Sequence, residues 1–448
     1  MGLGYNVHLN IMGRTSRKRH QKKKHILVDI KESQEEILTR LKYWMLKNNC
    51  LSVSDLVPYD FPTTGRGLKT LRNIEINDSL IEVPHEMLIT TSTVSESLIN
   101  VLFTKDVCYS AHYVLSLFLI YEAHLGKKSK WYPYITSLPQ TFTNPEFCSN
   151  KEKSSLPSFI IKCLNHSHNL QVDYRLVSQS MRDLSLNGNN KCPHCSMVFE
   201  KIITFDRYRW AYYVVNTRAV YVDMEIAQHI AISIKEPNNL GLAPFLDFFN
   251  HDVHTSVEVS TITDVANKKF YQIRTLKPFT KGSQVFINYG SHCNIKLYID
   301  YGFMIPNNPL DEINFNMHDI QSCINISKPK LEFIISNDLQ KNMAFIAQGL
   351  NYNALCTLFI CTTKISKTYW SMKIYGGSVT SEELFDVHNI SKMILNLKKK
   401  ELLHYSTSMK NFVYPSESFS IAISLIEEYL MLLNQSFLNL NATQCFKR

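Results

Sequence analysis

The character of the apolar spacing changes several times along this chain, and that succession limits its fold more than any other feature. Strand-like segments within DFPTTGRGLKTL (60–71), SLIEVP (79–84) and EMLITT (86–91) give way, from about Glu96 to Glu122, to helical spacing, as in HYVLSLFLIYEAH. Further helical segments lie at FIIKCLNH (159–166) and from about Phe199 to Tyr213, with Trp131 to Leu138 read as a connector ending at Pro139. Strand character then returns in SVEVSTI (256–262) and KFYQIRTL (269–276), a hairpin across Asp264 to Lys268, and in SQVFINYG (283–290). From roughly Asn307 onward helical patterns dominate; in ISLIEEYLMLLNQSF the positions Ile423, Ile426, Tyr429, Leu430, Leu433 and Phe437 share one face. A β-rich part interrupted by helices has to close by joining pieces far apart in sequence. The helical tail then forms a second lobe, because 448 residues exceed what one hydrophobic core usually serves.

An apolar share of 45% with 19% charged residues describes a chain that folds. The formal charge of +9 suggests nucleic acid until it is located: Arg14, Arg17, Lys18, Arg19, Lys22, Lys23 and Lys24 supply most of it, and the rest is nearly neutral. This run lacks hydrophobic periodicity and reads as a disordered basic arm, residues 1–34, ahead of a helix from about Glu35 to Lys47. It is either a nuclear address, a loose nucleic-acid contact or a solvated tail, and the chemistry does not require nucleic acid. No apolar stretch approaches the roughly 18 residues that span a bilayer, and the amino terminus has no signal-peptide apolar core, so no membrane association is expected and the compartments expected are cytoplasm and nucleus. Eleven cysteines, an odd number scattered among apolar residues as in CTLFIC, read as reduced thiols.

Four motifs carry the chemistry, each with an ordinary alternative. GRG (Gly65–Gly67) permits φ > 0 or a close backbone approach, but lacks the third glycine and strand-turn-helix setting of a dinucleotide site. In NTRAVY (216–221), Arg218 is either an ion-pair member or a bidentate clamp for a carboxylate. PFLDFFNHD (244–252) runs apolar residues into Asp247, Asn250, His251 and Asp252, polar groups that need partners once buried; a metal there is disfavoured without a HExxH helix or a second histidine cluster. VFINYG (285–290) ends a strand on Tyr289, whose hydroxyl either enters a site or is satisfied by packing.

Taken in order, GRG, NTRAVY, DFFNH, VFINYG and DYGF (300–303) resemble a SET-domain methyltransferase of the Rubisco large-subunit methyltransferase type, over roughly Trp44 to Phe303. The resemblance implies an α+β fold: a β-rich SET domain over residues 35–305, with a pseudoknot-like crossing and a helical insertion at about 96–213. An all-α substrate-binding domain over 306–448 would follow it. It implies S-adenosylmethionine as cofactor, lined by the backbone of Thr64, Gly65 and Arg66, with Arg218 on its carboxylate and Asn250 and His251 on its amino-acid and adenine parts. Tyr289 becomes the catalytic residue where methyl donor and target nitrogen meet, Tyr301 a channel wall, and Asp247 and Arg218 further substrate-side contacts. The implied activity is protein-lysine N-methylation by a monomer, with histones among the candidate substrates. Two rivals remain: histidine as the nucleophile, and a non-catalytic scaffold. KCPHC (191–195), with Cys163, His166 and His168 upstream, offers zinc-ligand types, but its other half lacks a CxxC pair; free thiols are the default and no metal is expected.

Overall fold

A computed structural model describes residues 32–440 except 104–105, 168–169, 187–189, 223–231, 236 and 377–379. The basic run from Arg14 to Lys24 lies outside the described residues. Helix α1 (Gln34–Lys47) begins at a capping box: the Glu36 amide donates to Ser33 Oγ (3.2 Å) and the Ser33 amide to the Glu36 carboxylate (2.7 Å). Its Ile37, Leu41 and Met45, four apart, form the buried face.

Strands β1 (Leu56–Phe61) and β2 (Gly65–Thr70) form an antiparallel pair around the TTG turn. Beyond them come β3 (Ser79–Pro84), β4 (Ala219–Tyr221), β5 (Leu240–Leu242), β6 (Asn250–His251), β7 (Val257–Thr263), β8 (Lys269–Thr275) and β9 (Gln284–Ile287). These make three small sheets, ordered β1-β2-β9-β6, β3-β8-β7 and β4-β5. The expected hairpin across Asp264 to Lys268 is the β7–β8 turn, and β9 occupies the expected SQVFINYG segment. EMLITT is not a strand: Glu86 and Met87 belong to a 3₁₀ turn, Ile89 makes one bridge to Leu242, and Thr91 starts a short helix. The Thr90 amide donates to Thr93 Oγ1 (3.2 Å), which in turn donates to the Leu88 carbonyl (3.1 Å), a local hydrogen-bonding choice that overrides β propensity.

The helical block packs α2 (Ala111–Leu125) against α3 (Phe205–Arg218). Helix α3 extends beyond the expected end at Tyr213, so Arg218 occupies its last turn instead of an extended segment. Trp131–Leu138 contains a one-turn helix at Tyr132–Ile135, with Pro133 near its start, where the missing amide is tolerated.

A second core gathers around α4 (Tyr352–Thr362), α5 (Ser381–Lys410) and α6 (Glu417–Asn439), and it takes Cys148, Leu156 and Ile160 from the insertion as well as Tyr298. The C-terminal region is helical with one addition, a three-stranded sheet of β10 (Ile313–Asn314), β11 (Ala344–Ile346) and β12 (Gly349–Leu350). Segments this short escape a periodicity reading. On α6 the buried stripe runs through Phe419, Ala422, Leu425, Ile426, Tyr429, Leu432 and Leu433, while Phe437 is exposed. Contrary to the sequence expectation, α6 is long and apolar enough by composition to cross a membrane. Its Glu427 pairs with Lys410 of α5 (2.8 Å) and Glu428 accepts the Asn307 amide (3.0 Å), contacts that suit a helix packed in this core.

Candidate active site at the strand crossing

The two glycines of GRG do different jobs. Gly65 takes φ +67 in the turn, while a Cβ on Gly67 would meet Gln284 Nε2 at 2.5 Å and Asn250 Nδ2 at 2.7 Å. The missing side chain lets β9 and β6 approach β2 closely. There β6 runs parallel to β9, pairing Asn250 with Phe286 and His251 with Ile287. Phe245, buried at φ +69, turns the chain into this crossing. Left-handed backbone is unusual for a bulky residue and persists only where surrounding packing enforces it.

The crossing supplies the partners that the polar end of PFLDFFNHD needs. The Asn250 side-chain amide donates to the carbonyls of Thr64 (3.3 Å) and Arg66 (3.2 Å). His251 Nδ1 accepts the Tyr289 amide (3.1 Å), and the Asp252 amide donates to the Ile287 carbonyl (3.0 Å). Burial, then the neighbouring His292, holds His251 below its ordinary 6.5, so the imidazole is neutral at pH 7. With Nδ1 accepting, its proton sits on Nε2, a buried atom without a partner.

Beside the crossing is a cavity of about 420 Å³ walled by Arg218, Asp247, Phe249, Tyr289 and Tyr301, with Thr217, Tyr221, Tyr271 and Asn288 among the other lining residues. The Tyr289 hydroxyl donates to the Phe249 carbonyl, and burial raises the phenol's pKa, keeping it un-ionised. Its ring stands 5.2 Å from His251, 5.1 Å from Tyr301 and 6.4 Å from Phe303. Arg218, carried by the end of α3, donates from Nη1 to the Asp247 carbonyl and leaves Nε unpartnered. Asp247 is buried; Oδ2 accepts the Tyr134 hydroxyl (3.2 Å), whereas Oδ1 has no partner. Burial raises this carboxyl, while Arg218, Arg66 and the Tyr134 hydrogen bond oppose the rise.

Arg218, Asp247, Tyr289 and Tyr301 therefore share one cavity. Asn250 and His251 adjoin it through the crossing, and Thr64 and Arg66 are tied to Asn250 by their carbonyls. The Arg66 side chain points elsewhere: it donates to the Ser137 carbonyl (3.0 Å), lies 4.5 Å from the Phe248 ring centre and borders a separate hollow with Thr136 and Gln140. Burial, then Arg218, lowers its pKa to about 10, leaving it a cation at neutral pH. Sequence reasoning gave no site role to Tyr134, Phe249 or Phe303. Tyr134 sits in the presumed connector, and no local pattern ties it to Asp247; the other two lie within DFFNH and DYGF, but those motifs do not say which of their aromatics face the site.

The ligand set considered for KCPHC is not assembled as expected. Cys163 lies near Cys293 and Tyr429, the His166 side chain and His168 are outside the described residues, and Cys192 and Cys195 instead face His124 of α2.

Residues 65–290 match the family model described as SET domain, and the chain belongs to the SET-domain methyltransferase family. It is similar to SET domain-containing protein 4 of Artemia parthenogenetica, 30% identical over 409 residues that cover 89% of this chain and 96% of that one. It is also similar to the actin-histidine N-methyltransferase of Xenopus tropicalis, 26% identical over 287 residues, 63% of this chain and 46% of that protein. Among solved structures, the SET domain of LSMT bound to lysine and AdoHcy superposes with a TM-score of 0.61 over 92% of each chain at 19% identity, a likeness of fold.

Proposed function

We propose that the protein is a protein-lysine N-methyltransferase using S-adenosylmethionine. One observation carries this reading: Arg218 Nε, Asp247 Oδ1 and His251 Nε2, all buried around the Tyr289 crossing, lack hydrogen-bond partners. Each such atom costs about 1–3 kcal/mol when left unpaired, so three in one neighbourhood support the binding of a polar ligand there. The donor set fits the proposed cofactor. Arg218 suits its carboxylate, the His251 Nε2–H suits a ring-nitrogen acceptor, and the backbone at Thr64–Arg66 borders the same crossing. The lysine and AdoHcy bound to the LSMT structure support the same assignment.

When bound, the cofactor supplies a sulfonium methyl for in-line displacement. The chain's task is to present a neutral amine along that line. A lysine amine with an ordinary pKa near 10.4 must first lose its proton. An aromatic channel of Tyr289, Tyr301 and Phe303 disfavours the charged form. Because the Tyr289 proton is engaged by the Phe249 carbonyl, the phenol oxygen offers its lone pairs to an incoming N–H. The free Asp247 Oδ1 is a second acceptor. Un-ionised Tyr289 positions the amine without acting as a base, so catalysis rests on orientation and electrostatics.

Labelled S-adenosylmethionine, purified enzyme and candidate proteins, histones included, test the reading through amino-acid analysis of the product. Methyl-lysine is expected, with Tyr289→Phe slower by about a hundredfold, the scale for losing one positioned polar group. No transfer to any lysine-bearing protein, with no difference between enzyme and variant, would refute it. Likeness to actin-histidine N-methyltransferase favours histidine as the second reading, and methylhistidine in the product would establish it. Absence of cofactor binding by calorimetry would leave the scaffold reading. A monomer working in cytoplasm and nucleus completes the proposal; light scattering and imaging of the tagged chain, with and without residues 14–24, check those two points.

A further inference from the structure

Within the insertion, well apart in sequence from the proposed methyl-transfer residues, three ligand-type side chains converge. His124 Nε2 from the last turn of α2 stands 3.2 Å from Cys195 Sγ, and these two atoms and Cys192 Sγ all lie within 4.8 Å of one another. A tetrahedral zinc site with Zn–S of about 2.3 Å and Zn–N of about 2.0 Å sets its ligand atoms roughly 3.5–3.8 Å apart, so the His124–Cys195 pair opens by about 0.3 Å and Cys192 Sγ closes in by at most about 1 Å. Both cysteines are free thiols.

A second, independent observation is the shape of the loop that presents them. Residues 190–199 form a tight hairpin: Lys191 bridges Val198, the Cys192 amide donates to the Met197 carbonyl (2.8 Å), and the Ser196 amide donates to the Cys192 carbonyl (2.8 Å). Ser196, directly after the second cysteine, takes φ +60. Such a turn costs energy for a non-glycine residue, and it brings two thiols three residues apart to one side of the loop. Cys192 is fully buried beneath Tyr121, whose hydroxyl lies 4.0 Å from its sulfur, whereas Cys195 is exposed. The ligating forms are the neutral imidazole and the deprotonated thiols. Two thiolates and a neutral imidazole balance a divalent cation.

We propose that His124 Nε2, Cys192 Sγ and Cys195 Sγ bind one structural Zn²⁺ whose fourth position faces solvent on the Cys195 side. The ion staples the 190–199 hairpin to the end of α2. Two thiols lose their protons to solvent on binding, with no change of oxidation state.

Metal analysis of the full chain purified without chelators should find about one zinc per molecule, the stoichiometry of a single such site. X-ray absorption should show two sulfur and at least one nitrogen neighbour. Cys195→Ser and His124→Ala should lose most of the metal, and Cys108→Ser, an exposed thiol outside the cluster, should keep it. Cobalt(II) added to the metal-free wild type, with its thiolate charge-transfer band, provides a readout independent of any variant's folding. The proposal is overturned if reduced wild-type chain takes up neither zinc nor cobalt, if zinc survives Cys195→Ser undiminished, or if mass spectrometry finds Cys192 and Cys195 joined as a disulfide.

Discussion

Two buried carboxylates, Asp247 beside the cavity and Asp311 at the start of the C-terminal region, are almost equally shielded, at 7% and 6% exposure, yet are treated in opposite ways. Asp311 is closed into a network. Its Oδ1 accepts the Asn294 backbone amide (2.6 Å), its Oδ2 accepts the Asn294 side chain (2.7 Å), and Asn294 in turn accepts the Ile305 amide (2.7 Å). Burial raises Asp311 to about 6, with the Asn294 bonds pulling it back. Asp247 has one oxygen on Tyr134 and the other on nothing. Complete satisfaction marks Asp311 as architecture; the unpartnered oxygen of Asp247, repeated at Arg218 Nε and His251 Nε2, is the feature on which the proposed site rests.

The largest effect should separate the two carboxylates. Asp311→Ala removes the acceptor of the Asn294 backbone amide and one of the two acceptors of its side-chain amide, and should lower unfolding free energy by about 2–5 kcal/mol in urea titrations. Asp247→Asn should change stability by less than about 1 kcal/mol, since removing a buried charge offsets the new unpaired N–H, while lowering methyl transfer. Equal destabilisation by the two variants would break the contrast. Next in size, Gly67→Ala pushes a Cβ into Asn250 and Gln284 and should cost about 1–3 kcal/mol of stability, the usual range for overpacking, together with cofactor affinity measured by calorimetry. If affinity is untouched, the crossing does not shape the site.

The smallest effect is a pH dependence. Because the folded-state pKa of His251 lies below 6.5, the unfolded chain binds the proton first as pH falls. The contribution to stability is thus present above 6.5 and is lost as pH drops from there through the folded value. Protonation also removes the Nδ1 acceptor from the Tyr289 amide. Thermal melts of wild type against His251→Gln between pH 5 and 7.5 should show the wild type with the steeper fall on the acid side, by at most about 1.4 kcal/mol per pH unit. Parallel curves would remove His251 from the contrast.

Much of the crossing was legible in sequence because its devices are local: the GRG turn, the polar close of PFLDFFNHD and the Tyr-Gly end of β9 are each short patterns whose order carries the family likeness. What stayed hidden is non-local. Tyr134 reaches Asp247 across the insertion, and His124 meets Cys195 from another helix. The exposed Phe437 shows the same limit on α6: a periodic apolar face tells that a helix has a buried side, whereas the exact stripe depends on neighbours supplied by distant segments.

The pairing of Leu68 with Val285 has a consequence for how the molecule is made. On the ribosome β2 emerges with one edge bare and must wait until the whole insertion has been synthesised before β9 can cover it. Uncovered strand edges invite pairing with other chains, and contacts between such remote residues form slowly. Nascent chains truncated before residue 284 should be the most aggregation-prone species of this protein.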